Sequence, residues 1–331
     1  MNLPPILRWL LWPLSVVYGI AVRVRLWLYA QGIFKTKQLR TPVISVGNLT
    51  VGGTGKTPMV IWLAEHFLAA GKRVAILSRG YKGNGESSDE IALMKYRLND
   101  RVLFGVGANR YEQGRLLEKQ GVDVFLLDDG YQHLQLARDV NILLLDGSRR
   151  LKNEWLLPAG ELREPISSMR RDDLIVVTRR AQHQAIEAHD SHTYKMFYAQ
   201  TQLLGFRNLD EPDDEKFLSE IGPGPFCAFC AIGNPDAFLQ DLARWHVPVC
   251  GHRYFRDHHR YDQIDLKKLE TFAKNQGAVG FITTEKDWIN LQSAGKPPLP
   301  TFVAVISLSI RSESEFIARL ERKLQSSGAR A

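Results

Sequence analysis

The sequence predicts an α/β protein: a parallel sheet core, a second and smaller α/β domain, and an apolar N-terminal helix. Three observations predict it. Short apolar runs at 43–46, 73–77, 102–106, 122–127, 140–145 and 174–177 end in polar turns and alternate with helical segments. That is the order of a parallel sheet covered on both faces. A glycine-rich turn joins the first run to a helix. The first 40 residues are apolar, rich in tryptophan, and basic.

Composition narrows the class. A chain of 331 residues is long enough for two domains with sizeable cores, and 44% hydrophobic with 24% charged residues is a folded, globular balance. The net charge is +7, and Arg8, Arg23, Arg25, Lys35, Lys37 and Arg40, with no acid among the first 40 residues, supply six of it. The rest is near neutral, which argues against a nucleic-acid partner. Cys227, Cys230 and Cys250 make no disulfide framework. Cys227 and Cys230 lie in the apolar run 226–232 and read as buried strand residues of a protein in a reducing compartment.

The elements follow in order. Residues 9–22 are apolar apart from Ser15, Tyr18 and Gly19; Pro13 interrupts them and arginines flank them. That stretch is shorter than the roughly 20 residues a bilayer span needs. Three readings stay open: an interfacial helix, a marginal span, or a helix packed on its own domain. Arginines beside tryptophans favour the first, on an anionic leaflet.

Residues 43–46 form a strand, and 59–70 a half-buried helix capped by Gly71. Between them Thr50, Val51, Gly52, Gly53, Thr54, Gly55, Lys56 and Thr57 make a phosphate-binding loop. Its glycines let backbone N–H groups face phosphate oxygens, and the helix start adds a positive dipole end. Lys56 is placed for the β- and γ-phosphates of ATP, and the Thr57 hydroxyl for Mg²⁺. Thr50 stands where the usual pattern has its first glycine.

Two strands end in a carboxylate suited to hold that Mg²⁺, at Asp128 and at Asp146. Asp128 with Asp129 is the better candidate, because Gly130, Gln132 and His133 follow; Asp146 before Gly147 reads as the start of a turn. A hydroxyl acceptor also wants a base. Asp89-Glu90 at a helix start and Arg256-Asp257-His258-His259 both offer one. Arg79, Arg110 and Arg163 are each able to grip an anionic group. His252, His258 and His259 have no metal-ligand spacing. Thr284-Glu285-Lys286-Asp287 has the wrong spacing for guanine recognition, so GTP has no support.

The pattern weakens around 180–190, where a domain boundary is expected. Beyond it come strands at 226–232, 247–250, 280–284 and 302–308, and helices at 235–245, 266–275 and 313–326. The expected organisation is an N-terminal region over 1–40, a core carrying the phosphate loop over 41–185 and a smaller domain over 186–331.

Eight segments together resemble the tetraacyldisaccharide 4′-kinases of lipid A synthesis. They are VGNLTVGGTGKTP (46–58), LSRGY (77–81), DE (89–90), DDGYQH (128–133), LPAGELREP (157–165), GNP (233–235), FRDHH (255–259) and TTEKD (283–287). Ser88 and Ile91 stand where the family commonly has glycine and proline. The resemblance implies transfer of the ATP γ-phosphate to the 4′-hydroxyl of an acylated glucosamine disaccharide 1-phosphate. It implies a P-loop core joined to a smaller domain, with the active site in the cleft between them. It also implies Asp89 as catalytic base assisted by His258, with Lys56 on ATP, and Asp128 and Asp129 organising Mg²⁺ and phosphate. Arg79, Tyr81, Arg110, Gln132, His133, Arg163 and Glu164 become nucleotide or sugar contacts. The implied location is the cytoplasmic face of a bacterial inner membrane, peripheral or N-terminally anchored, with no obligate protein partner. The rival readings are a P-loop kinase of a small soluble metabolite and a non-catalytic ATP switch with a membrane partner.

Overall fold

The computed structural model describes residues 4–80, 88–148, 154–179, 196–209, 211–292 and 294–328. Tyr81 and the boundary expected at 180–190 lie outside them. In chain order the elements are α1 (Pro5–Ala30), β1 (Val43–Asn48), α2 (Lys56–Ala69), β2 (Val74–Ser78), α3 (Asp89–Leu98), β3 (Leu103–Val106), α4 (Arg110–Glu118), β4 (Val124–Asp128), β5 (Val140–Asp146), β6 (Leu174–Thr178), β7 (Met196–Asn208), β8 (Glu211–Lys216), β9 (Phe226–Cys230), α5 (Pro235–Arg244), β10 (Val249–Tyr254), α6 (Gln263–Gln276), β11 (Gly280–Thr284), α7 (Glu285–Leu291), β12 (Thr301–Arg311) and α8 (Glu313–Gly328).

The chain divides into two compact units, neither contiguous. The first comprises Met1–Gly80, Leu98–Gln200 and Ser309–Ala331, the second Tyr81–Arg97 and Thr201–Leu308. This grouping differs from a single cut near residue 185. Aromatic packing explains it. Phe316 of α8 is fully buried against Trp62 and Phe197 of the first unit, at ring separations of 5.8 and 5.2 Å. Tyr96 of α3 lies 4.2 Å from Trp288 of the second.

In the first unit the parallel strands run in the order β7, β6, β5, β1, β4, β2, β3. β1, β2, β4 and β6 are buried along their whole length, which is why each is written as a largely apolar run that turns polar at its carboxyl end rather than as an alternating one. β1 pairs Val46 with Asp128 of β4 and Ile44 with Val140 of β5. The loop after β1 therefore emerges beside the carboxyl end of β4, the usual ligand-binding edge of such a sheet. In the second unit the parallel strands run β10, β9, β11, β12; the later part of β7 lies next to β12 and pairs antiparallel with β8. β10 extends to Tyr254, beyond the strand expected at 247–250, because it stays paired with β9 as far as Cys230.

α1 is longer than the apolar run in the sequence. It continues through Arg23 and Arg25 to Ala30 and carries Pro13 inside it. Polar bonds fix one face to the first unit. Arg8 donates to Ala159 O (3.1 Å) and Glu154 (3.2 Å), Ser15 accepts from Ala159 N (2.9 Å), Tyr18 donates to Arg163 O (2.8 Å), and Arg25 donates to Gln132 O (2.9 Å). These positions recur at helical spacing. The other face exposes Trp9, Leu10, Trp12, Leu14, Val17, Ile20, Val24 and Trp27. The ordinary arrangement of a surface helix is thus inverted: polar toward the protein, apolar away from it.

Candidate functional site

The first unit carries the phosphate loop. Gly55 ends it in a left-handed conformation (φ 88°) and caps α2, whose first two residues are Lys56 and Thr57. Thr50 has no positive φ, which removes the need for glycine at that position. Instead Thr50 forms an antiparallel bridge with Leu162. Val51 N donates to Glu161 O (2.8 Å) and Arg163 N to Leu49 O (2.7 Å). The PAGELR segment is therefore the outer wall of the loop, and it delivers the Arg163 side chain. Asn48 donates to Thr54 (3.1 Å), and Thr178 at the end of β6 donates to Thr54 O (3.1 Å).

Asp129 gathers the cations. It is a non-glycine residue at φ 45°, a conformation that costs free energy and accompanies functional sites. Arg163 donates to both its oxygens at 3.1 and 3.0 Å, and the Lys56 ammonium lies 3.6 Å away. Burial pushes the Asp129 carboxyl up, but Lys56, Arg163 and Arg110 outweigh it and hold the group below the usual range. Asp128 is buried and accepts the Ser78 hydroxyl at 3.2 Å. Arg110 at the start of α4 is 5% exposed. Burial lowers its pKa, against the pull of Asp129 and Asp128. His133 is lowered to about 4 by burial and by Arg110, Arg138, Arg25 and Arg79, so the imidazole is neutral. Gln132 donates to Asn48 O at 3.0 Å. Glu164 is 1% exposed and paired with Arg171 at 2.8 Å. Arg79 lies exposed just past β2.

Sequence reasoning missed Arg179. It follows β6 at φ 56°, donates to Gly53 O, and lies 3.3 Å from Asp146. Asp146 also accepts from Ser148 N (3.0 Å) and its hydroxyl (2.6 Å), so it starts a turn. The only signal for Arg179 was a basic residue directly after an apolar strand. For a magnesium ion, the Thr57 hydroxyl and the Asp128 carboxylate offer oxygen donors only, the set that ion prefers. Asp128 stands on the strand hydrogen-bonded to β1, which feeds the loop.

The second unit holds the other candidate group. Both oxygens of Asp89 lie 2.9 Å from Nδ1 of His258, which sits at φ 60° in the turn after β10. Asn290 donates to Asp89 at 3.4 Å. Burial pushes the Asp89 carboxyl up; the His258 and Glu90 hydrogen bonds and the Lys286 charge overcome this, leaving it well below the ordinary carboxylate range. The Asp89 hydrogen bond raises His258 above the ordinary imidazole value, against its partial burial and Lys286. The adjacent His259 points elsewhere and bonds Asp265 at 2.7 Å, in the first turn of α6. A carboxylate and an imidazole in direct contact can take up a proton from a hydroxyl.

Comparisons with known proteins add to this geometry. Residues 7–325 match the family described as tetraacyldisaccharide-1-P 4′-kinase. The tetraacyldisaccharide 4′-kinase of Geobacter metallireducens is 38% identical over 329 residues, 94% of this chain and 96% of that protein. The protein of the same name from Nitrosococcus oceani is 36% identical over 295 residues, 85% of this chain and 81% of that one. Among solved structures, the "apo" form of LpxK from Aquifex aeolicus in complex with ATP is similar at 34% identity. It covers 96% of this chain and 99% of that one, with a TM-score of 0.75.

Proposed function

This chain belongs to the tetraacyldisaccharide-1-P 4′-kinase family, and from that premise we infer how its residues perform the reaction. The activity is ATP-dependent phosphorylation of tetraacyldisaccharide 1-phosphate at its 4′-hydroxyl, giving the bisphosphorylated lipid A precursor. The observation that carries the reading is the match over nearly the whole chain, in a molecule with both a phosphate loop and a hydrogen-bonded carboxylate–imidazole pair.

In our reading the loop from Thr50 to Thr57 binds the phosphates of ATP. Lys56 carries positive charge to the β- and γ-phosphates. Thr57 and Asp128 would hold magnesium, which supplies charge neutralisation on the phosphates when bound. Asp129 fixes Lys56 and Arg163 in place through its ion pairs with both. The 4′-oxygen forms a bond to the γ-phosphorus as the bond to the bridging oxygen of ADP breaks. The hydroxyl proton goes to the Asp89–His258 pair. Asp89 alone is a weak acceptor because its pKa is depressed, and the raised His258 is where the proton comes to rest. Arg79, Arg110, Gln132, His133 and Arg163 serve as contacts for nucleotide or sugar phosphate.

We also read α1 as an interfacial helix rather than a span. The helix is long and apolar enough to cross a membrane. Its polar bonds to the first unit occur from Arg8 to Arg25, near both ends. Lying in the headgroup region with its exposed tryptophans in lipid keeps those bonds and solvates the apolar face. On this reading the kinase works at the cytoplasmic leaflet, where ATP and an acylated substrate meet.

The test is phosphate transfer from labelled ATP to tetraacyldisaccharide 1-phosphate in detergent micelles with magnesium. Wild type is expected to label the lipid, and Lys56→Ala and Asp89→Ala are not. An unlabelled lipid with wild-type protein that still binds ATP overturns the reading.

A further inference from the structure

The TTEKD segment lies where β11 turns into α7, and the phosphate loop has no part in it. Thr284 caps α7, accepting from Asp287 N at 3.2 Å. Glu285, Lys286 and Asp287 are thus consecutive in its first turn. At about 100° per residue they point in three directions. Glu285 faces back to α3 and binds the Arg97 guanidinium at 2.9 and 3.1 Å. Asp287 faces inward, accepting from Ala231 N (2.8 Å) and the Tyr261 hydroxyl (2.7 Å). Between them the Lys286 ammonium lies 3.3 Å from Asp89, 3.3 Å from Glu90 and 3.2 Å from Asp257.

Among the described residues, Asp89, Glu90 and His258 have the ligand set and closeness of a cation site. The cation is already there, and it is Lys286. Its side chain is only 17% exposed. Three carboxylates from two separate segments, the start of α3 and the turn before His258, converge on it.

We propose that Lys286 is a positioning residue for phosphate transfer: its ammonium holds the Asp89 and Glu90 end of α3 against the Asp257–His258 turn, so that the Asp89 carboxylate meets His258 Nδ1. Adjacent acids on α3 and on the turn repel each other without it. Arg97–Glu285 and Asn290–Asp89 fix the same helix pair, so α7 acts as a splint for α3. The charged and titratable groups facing the Asp89–His258 contact are Glu90, Asp257 and Lys286, with Asp287 buried behind Lys286. Burial works against the lysine's charge, but Glu90, Asp89 and Asp257 outweigh it and raise its pKa, so the group is an ammonium at neutral pH.

The inference rests on the kinase reading, and it has a readout independent of that reading. In Lys286→Met and Lys286→Gln the carboxylates lose their counter-charge, and the Asp89–His258 pair holds its proton more tightly. The acid limb of the kcat profile is then expected to move up by about one pH unit, a tenfold loss at a fixed pH on that limb. KM for ATP should stay within about twofold, as expected when binding is untouched. Lys286→Arg should restore most of the rate, since it returns the charge. With no substrate present, the His258 carbon resonance, assigned by its loss in His258→Gln, should titrate at higher pH in the Met and Gln variants. An acid limb and a His258 titration both unmoved in a folded variant overturn the proposal, as does an Arg variant no better than Met. Failure of wild type to label the lipid, with the His258 shift present, overturns the kinase reading and leaves the positioning by Lys286 standing.

Discussion

Nδ1 of His258 lies 2.9 Å from both carboxylate oxygens of Asp89, 169 positions earlier in the chain. Their titrations move in opposite directions, which makes the contact visible as a pH window. Asp89 lies below its unfolded value, so its stabilisation is present above about pH 4 and lost as pH falls. His258 lies above its unfolded value, so its stabilisation is complete below about pH 6.5 and lost as pH rises through its folded pKa. Thermal unfolding of wild type and His258→Gln, followed from pH 3 to 9, should differ most between those limits. A difference independent of pH would remove the ion-pair account. Activity of His258→Gln should fall by about 10²- to 10⁴-fold, the usual worth of a general base.

The Arg97–Glu285 pair should be costly to break from one side. Both side chains are 7% exposed, and Arg97 also donates to Ile306 O at 3.1 Å. Arg97→Met leaves Glu285 buried without its counter-charge, where burial already pushes the carboxyl up, at an expected loss of about 3–5 kcal/mol. Arg97→Met with Glu285→Gln should recover part of that. Urea unfolding of the two singles and the double gives the coupling.

Gly160 lies where the wall of the phosphate loop packs tightly against its own backbone at Trp155. A Cβ there would collide with Trp155 O, so the segment must shift in Gly160→Ala. The bridges from Leu49 and Val51 to Arg163 and Glu161 would be pulled with it. Overpacking of this kind costs about 1–3 kcal/mol. ATP affinity measured by calorimetry should fall, and the phosphate loop should become more open to protease.

The exposed tryptophans of α1 should govern lipid binding. Replacing Trp9, Trp12 and Trp27 by serine should weaken recovery on anionic vesicles, each residue removing about 1.5–3 kcal/mol if fully buried in lipid. ATP binding should be unaffected. Unchanged vesicle recovery of the triple variant would rule out the interfacial helix.

Much of the fold was legible because buried strands write themselves as largely apolar runs. β1, β2, β4, β5 and β6 all did so, and the glycine loop followed β1 directly. β7 was not legible: its burial alternates over Met196–Asn208, and Gln200, Thr201 and Gln202 hide the strand among polar residues. α7 begins Glu-Lys-Asp and looks like a loop, although the Thr284 cap and Asp287 three positions later are a helix-start pattern. In the site, Lys56 and Asp129 announced themselves by local pattern. Lys286 and Arg179 did not, because each works through partners far off in sequence. The local pattern around Lys286 suggests only a guanine-reading motif of the wrong spacing, and nothing nearby in the chain points to the three acids it meets.

The order in which the chain visits its two units has a consequence for its birth on the ribosome. The polypeptide leaves the first unit at residue 80, returns at 98, leaves again at 200 and comes back only at 309. The unit that starts first is therefore completed last. Until α8 emerges, Trp62 and Phe197 lack the Phe316 ring that covers them. A nascent chain paused before residue 309 holds an apolar face open to chaperones, and a prematurely terminated one is a substrate for proteolysis rather than a slow kinase.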